Sequence, residues 1–353
     1  MRFAPGRKAV ECRLDAGLTW PHVEFLPAAG SRSLRARLLP ASRLILTGRQ
    51  SAMRIGSPRT ERERIAAVRC LFGATTSSPT DDSVHGSVDQ IRTPAIESQE
   101  LVAVWRQHRP LAVTMFRIAT DGTACLWAPE VAASDRNDAT LADAVLREAT
   151  SRIDAADCQR TLSVVQPQRQ DQGRALLGAG FACAGSITSF QHTLADRVSV
   201  ASFTSLPRVP YLRETESRFV AIVERTFEES RDCQRKQWRQ TGRSLLESYA
   251  ASPGSTPHRW SILVHESVDV AVMLVNECRE DRSWEIAYLG VIPERRRRGI
   301  AHDLVGSLLD EAARTECGRV VTTAHDDNLA ATSLYLKTGF VARDRNVGYV
   351  RLR

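Results

Sequence analysis

Four arginines and a glycine in one short stretch, Arg295-Arg296-Arg297-Arg298-Gly299, are the residues whose type and spacing most readily do chemistry. The run Ser283 to Val291 before them reads as a strand, and Ile300, Leu304, Val305, Leu308, Leu309 and Ala312 after them form one face of a long helix. A helix N-terminus presents unpaired N–H groups and the positive end of a dipole, so this junction can hold a phosphate. Gly299 lets the backbone approach an anion without a Cβ, Ala301 keeps the next turn small, and the arginines add attraction and donors. The same four arginines also read as a solvated basic turn that caps a strand.

The elements that must position this junction come in an order that occurs twice. In the first half, Ala52 to Gly56 reads as a strand, Glu61 to Phe72 as a helix and residues 74–97 as a polar loop. Leu101 to Trp105, Leu111 to Ile118 and Thr123 to Trp127 read as strands, the last two joined across Asp121-Gly122. A helix over Leu141 to Ile153, a strand over Leu162 to Val165, a short helix over Gln172 to Leu177 and a final strand over Phe181 to His192 complete it. In the second half, helices carry Phe219 to Phe227 and Leu245 to Tyr249, and strands run over Trp260 to Val264, Val268 to Asn276 and Ser283 to Val291. The long helix follows, then a strand over Val320 to Ala324, a helix over Leu329 to Lys337 and an extended end.

The halves also match in residues. Pro129-Glu130 has its counterpart in Pro293-Glu294, and Gly180-Phe181 in Gly339-Phe340. This is a two-copy internal repeat. It divides the chain into a basic extension (1–50), a first domain (51–195), a linker (196–212) and a second domain (213–353).

The segment Arg296-x-x-Gly299-x-Ala301 resembles the acyl-CoA-binding motif of the GNAT superfamily of N-acetyltransferases. So does the downstream pattern Asn328-x-x-Ala331-x-x-Leu334-Tyr335-x-x-x-Gly339-Phe340. The resemblance covers about residues 213–353. It implies an α/β fold of two tandem GNAT-like domains, each a mixed, mostly antiparallel sheet flanked by helices. The N-terminal copy is degenerate. It lacks the glycine motif, has two aspartates where a pyrophosphate would go, and carries Leu176 at the position of Tyr335.

The resemblance also implies roles. The backbone of Arg296, Arg297, Arg298, Gly299, Ile300 and Ala301 would hold the pyrophosphate of acetyl-CoA. N–H groups near Leu289 and Val291 would polarise the thioester carbonyl. Tyr335 falls at the family's general-acid position, or packs its helix on the sheet. Glu285 resembles the general base of some members, or is an exposed or paired strand carboxylate. Asn328 orders the cofactor or caps its helix. His325 reads as a surface histidine, and the acids of Glu228 to Cys233 either attract a cationic amine or form an ordinary loop. No nucleophilic cysteine is required, and Cys317 is a poor candidate for one.

Composition sets the outer limits. The chain has 353 residues, 42% hydrophobic and 25% charged, which suits a globular protein of two domains. No apolar run approaches the ~20 residues that span a bilayer. The eight cysteines are scattered without a CxxC pair, which excludes a zinc ribbon or thioredoxin-like site and reads as reduced thiols in a cytoplasmic protein; no metal is expected. Residues 1–60 hold 11 Lys+Arg against 3 Asp+Glu, so the excess of basic charge belongs to one end. That weakens a nucleic-acid reading of the whole chain. The leading expectation is therefore an acetyl-CoA-dependent N-acetyltransferase that acts on a primary amine. A non-catalytic acyl-CoA-binding or interaction protein is the alternative, with a basic nucleic-acid module behind it.

Overall fold

The computed structural model describes residues 53–73, 100–119, 122–194, 207–230, 241–250, 255–279 and 282–353. The basic extension, the polar loop and Arg231 to Cys233 lie outside the described residues.

The elements of the first half are β1 (Met53–Gly56), α1 (Glu61–Gly73), β2 (Glu100–Arg106), β3 (Arg109–Ile118), β4 (Thr123–Leu126), β5 (Glu130–Val131), α2 (Ala139–Ala155), β6 (Arg160–Val165), α3 (Gln170–Gly178) and β7 (Ala182–Thr193). Those of the second half are β8 (Arg208–Pro210), α4 (Glu216–Phe227), α5 (Gly242–Ala250), β9 (Ser261–His265), β10 (Val268–Cys278), β11 (Ser283–Val291), α6 (Ile300–Ala313), β12 (Arg319–His325), α7 (Leu329–Lys337) and β13 (Val341–Leu352). Two short strands escaped the sequence pattern. β5 has only two residues, and β8 falls inside the stretch read as a linker.

The strands form a continuous sheet in the order β1-β2-β3-β4-β6-β13-β7-β12-β11-β10-β9-β8, with β5 beside β3. Two pairs, β4 with β6 and β11 with β12, are parallel; the other ladders are antiparallel. The two halves exchange their last strands. β7 of the first half lies against β12, and β13 of the second half lies against β6. The exchanged strands pair with each other at the centre. Each half's sheet therefore contains a strand of the other.

The cores follow from hydrophobic pattern. β10 is buried on both faces from Val270 to Asn276, which suits its near-continuous Val-Ala-Val-Met-Leu-Val run. α6 buries Leu304, Val305, Leu308, Leu309 and Ala312 against this sheet. Trp284 is 2% exposed, with the Arg259 guanidinium 3.9 Å from its ring centroid. Arg259 is held by Glu277 on β10 and Glu311 on α6, each at 3.0 Å, and so ties the helix to the sheet. The second-half core also takes in Phe190 and Leu194 from β7 and the residue after it, a packing result of the exchange.

Candidate active site

The two parallel strands of the second half part company. β11 pairs with β12 only over Ser283–Ile286 against Arg319–Thr322. Beyond that, β11 stays on β10 and β12 stays on β7, so a wedge opens between them. A bulge assists. Val275 opposes Ile286 while Leu274 opposes Tyr288, which leaves Ala287 as the extra residue. Trp284 lies on the α6 face with Arg259, so alternation puts Glu285 on the opposite face. Tyr288 also lies there, since its hydroxyl meets Thr226 Oγ1 of α4 at 2.6 Å. The bulge thus brings two residues three apart onto one face.

The backbone of the wedge can be assigned by parity. Ile292 N–H donates to Val270 O at 3.0 Å, so the peptide groups of Gly290 and Tyr288 also face β10. Those of Leu289 and Val291 face the other way, into the wedge. The Val291 carbonyl accepts from Arg296 Nε at 3.0 Å, in agreement with this orientation. The N–H groups of Leu289 and Val291 thus point into the wedge.

At the mouth of the wedge lies the loop before α6. Arg297 has φ +62° and Gly299 φ +84°. Two left-handed residues in close succession turn N–H groups inward, a backbone shape that suits an anion. A Cβ on Gly299 would meet nothing within 4 Å, so its glycine is set by φ rather than by space. α6 starts at Ile300, and the N–H groups of Ile300 and Ala301 have no carbonyl partners within the helix.

The four arginines divide. Arg295 pairs with Glu266 at 2.7 Å, and this contact holds the Glu266 carboxyl below its ordinary range. Arg296 donates to the carbonyls of Val291, Thr226 (3.1 Å) and Glu228 (2.7 Å), and so fastens the loop to the C-terminal end of α4. Its guanidinium therefore belongs to the frame of the site. Arg297 and Arg298 are exposed and have no carboxylate within 4 Å among the described residues.

The remaining sequence candidates resolve as follows. Glu285 is 8% exposed and accepts from Asn276 Nδ2 at 3.4 Å. Tyr335 is 5% exposed, with its ring between Phe190 (centroids 5.6 Å) and Phe340 (5.5 Å). One of these aromatic neighbours, Phe190, comes from the first half. Asn328 caps α7 by accepting from Ala331 N–H at 3.1 Å. His325 ends β12, half-buried. Glu228 and Glu229 follow α4 beside the Arg296 anchor. The Cys317 thiol donates to Arg319 O at 3.0 Å, and burial pushes it away from the reactive thiolate. Among the described residues no three His, Cys, Asp or Glu side chains converge as metal ligands.

Thr226 and Tyr288 were not singled out by the sequence. The available signal was Gly290: a glycine inside a strand marks a close approach. A Cβ there would fall 2.6 Å from Thr226 Oγ1.

The equivalent junction in the first half is filled by its own side chains. Asp138 caps α2 by accepting from Thr140 N–H at 3.1 Å, and Asp135 takes Arg109 at 2.8 Å. Leu176, at the place of Tyr335, is fully buried in the first-half core.

Residues 223–340 match the model of the Acetyltransferase (GNAT) family. No curated protein matches the sequence. Among solved structures, the chain is similar to a GCN5-related N-acetyltransferase from Sphaerobacter thermophilus, with a TM-score of 0.59 at 16% identity over 85% of this chain and 95% of that one. It is also similar to a tandem GNAT protein from the clavulanic acid biosynthesis pathway, with a TM-score of 0.51 at 15% identity over 85% of this chain and 98% of that one. A third likeness is to a GCN5-related glucosamine N-acetyltransferase region of a fungal multi-domain β-N-acetylglucosaminidase, with a TM-score of 0.57 at 11% identity over 88% of this chain and 38% of that one. At these identities the structures speak for the fold. Residues 223–340 thus match the GNAT family, on a chain whose fold is similar to that of tandem GNAT proteins.

Proposed function

We propose that the chain is an acetyl-CoA-dependent N-acetyltransferase that passes the acetyl group to a primary amine by direct attack in a ternary complex. The observation that carries this reading is the wedge between β11 and β12, with the left-handed loop and the helix N-terminus at its mouth. The residues present fit the cosubstrate. Arg297 to Ala301 would hold the pyrophosphate through backbone N–H groups, with the Arg297 and Arg298 side chains adding charge. Leu289 N–H would donate to the thioester oxygen as it gains negative charge. The amine nitrogen attacks the thioester carbon, a C–N bond replaces the C–S bond, and the amine proton passes to Glu285, directly or through water. Tyr335 would return a proton to the leaving thiolate. The first half contributes Phe190 against Tyr335, while Asp138 already occupies the helix start where its own pyrophosphate would sit. We read the tandem architecture as resembling that of mycothiol synthase, though no residue singled out in the sequence specifies that enzyme's substrate.

The burial of Tyr335 favours a second reading, in which the domain binds acyl-CoA without turnover. Amine-dependent CoA release across a panel of small amines, polyamines and peptides separates the two. If Tyr335 and Glu285 act as proposed, Tyr335→Phe and Glu285→Gln each lower kcat about 10²-fold and leave acetyl-CoA affinity in place. Acetyl-CoA binding with no release for any amine would establish the non-catalytic reading.

A further inference from the structure

The first half holds a cavity of about 310 Å3 between α3 and the strands β6 and β13. Its lining comes from β6, α3, the loop between them and β13, whereas the wedge lies at α6, β11 and β12. Both halves build it, since Val347 and Tyr349 come from the exchanged strand β13.

Its walls are of two kinds. Val165, Leu177 and Val347 are apolar, whereas Gln170, Arg174 and the Tyr349 hydroxyl are polar. Gln170, Gly173, Arg174 and Leu177 lie on one face of α3 by helical spacing. Glycine is a poor residue inside a helix, yet Gly173 stands there, and a Cβ at that position would collide with the Tyr349 hydroxyl. That hydroxyl has no hydrogen-bond partner among the described residues. Nor does Arg174 have a carboxylate within ion-pair distance among them. The other arginine of the lining, Arg169, is already neutralised by Glu130 at 2.8 Å and Asp171 at 3.2 Å. No acidic side chain lines the space. A guanidinium without a carboxylate partner and a phenolic donor without a hydrogen-bond partner, both among the described residues, set above an apolar wall, match a carboxylate with an apolar body.

We propose that this cavity is a second ligand site, which takes a small organic monocarboxylate held by Arg174 and the Tyr349 hydroxyl. The test titrates the full chain, without acetyl-CoA, with 4-phenylbutyrate and with its uncharged amide, followed by saturation-transfer NMR. The carboxylate saturates the protein, and the amide binds at least about tenfold more weakly. Arg174→Gln and Leu177→Glu each weaken the carboxylate by about tenfold or more, the second by placing a negative charge in the cavity. Arg174 and Leu177 are exposed, so both variants keep the wild-type Tm, which is measured alongside. Equal binding of acid and amide, wild-type affinity in either variant, or no binding of 4-phenylbutyrate at millimolar concentration would overturn the proposal.

Discussion

At the residue scale, the arginine run shows how one sequence feature serves two ends. Arg295 and Arg296 are spent on the frame, whereas Arg297 and Arg298 have no carboxylate within 4 Å among the described residues. The motif was legible in the sequence because it depends on local order: strand, arginines, glycine, helix. The division of labour was not, because two of the three carbonyls that Arg296 bonds lie at the C-terminal end of α4, about 70 residues earlier. Asn328 illustrates the same limit from the other side. A cap and a cofactor ligand look alike in sequence, and the 3.1 Å bond to Ala331 N–H is a cap. Asn328→Ala should therefore cost about 1 kcal/mol of stability, read by denaturant unfolding, with acetyl-CoA affinity unchanged by calorimetry. A tenfold loss of affinity with unchanged stability would assign it to the cofactor instead.

At the element scale, the site depends on how α4 sits on β11. Gly290 allows the contact, Thr226 and Tyr288 bond across it, and Arg296 ties the end of α4 to the loop. Gly290→Ala drives a methyl group into Thr226 and should cost about 1–3 kcal/mol while displacing the strand that carries Leu289. Thr226→Ala in the same chain removes two of the three clashing atoms but keeps the Cβ at 2.7 Å, so it should restore only a minor part of that loss, as double-mutant unfolding would show. Most helices and strands were legible from a stripe, an alternation or, for β10, an unbroken apolar run. β5 and β8 were not, because two or three residues carry no period. The bulge at Ala287 was also hidden, because only the partner strand defines it.

At the scale of the whole molecule, the exchange of β7 and β13 makes one half necessary to the other. Their sequences are ordinary final strands, and nothing local says that each will pair across the repeat; that choice rests on contacts over 100 residues apart. Side chains reinforce it. Arg351 on β13 donates twice to Asp154 on α2 at 2.7 Å, and Arg345 and Thr188 share Asp326 at 2.6 Å. The Arg351 guanidinium holds the Asp154 carboxyl below its ordinary range. A depressed carboxylate stabilises the fold above its unfolded pKa, and that contribution is lost as pH falls through the folded value. Asp154→Asn should thus lower Tm near neutrality by an amount equivalent to about 1 kcal/mol, with the difference from wild type shrinking as pH falls below about 4. A difference that stays constant across that range would show that the pair contributes through packing alone. The central claim concerns which half binds the cosubstrate, since one helix start is open and the other is closed by Asp138. Calorimetric titration of the full chain with acetyl-CoA tests it most directly. The account predicts one site per chain, abolished by Gly299→Glu and untouched by Asp138→Ala. Two sites per chain, or binding that survives Gly299→Glu, would contradict it.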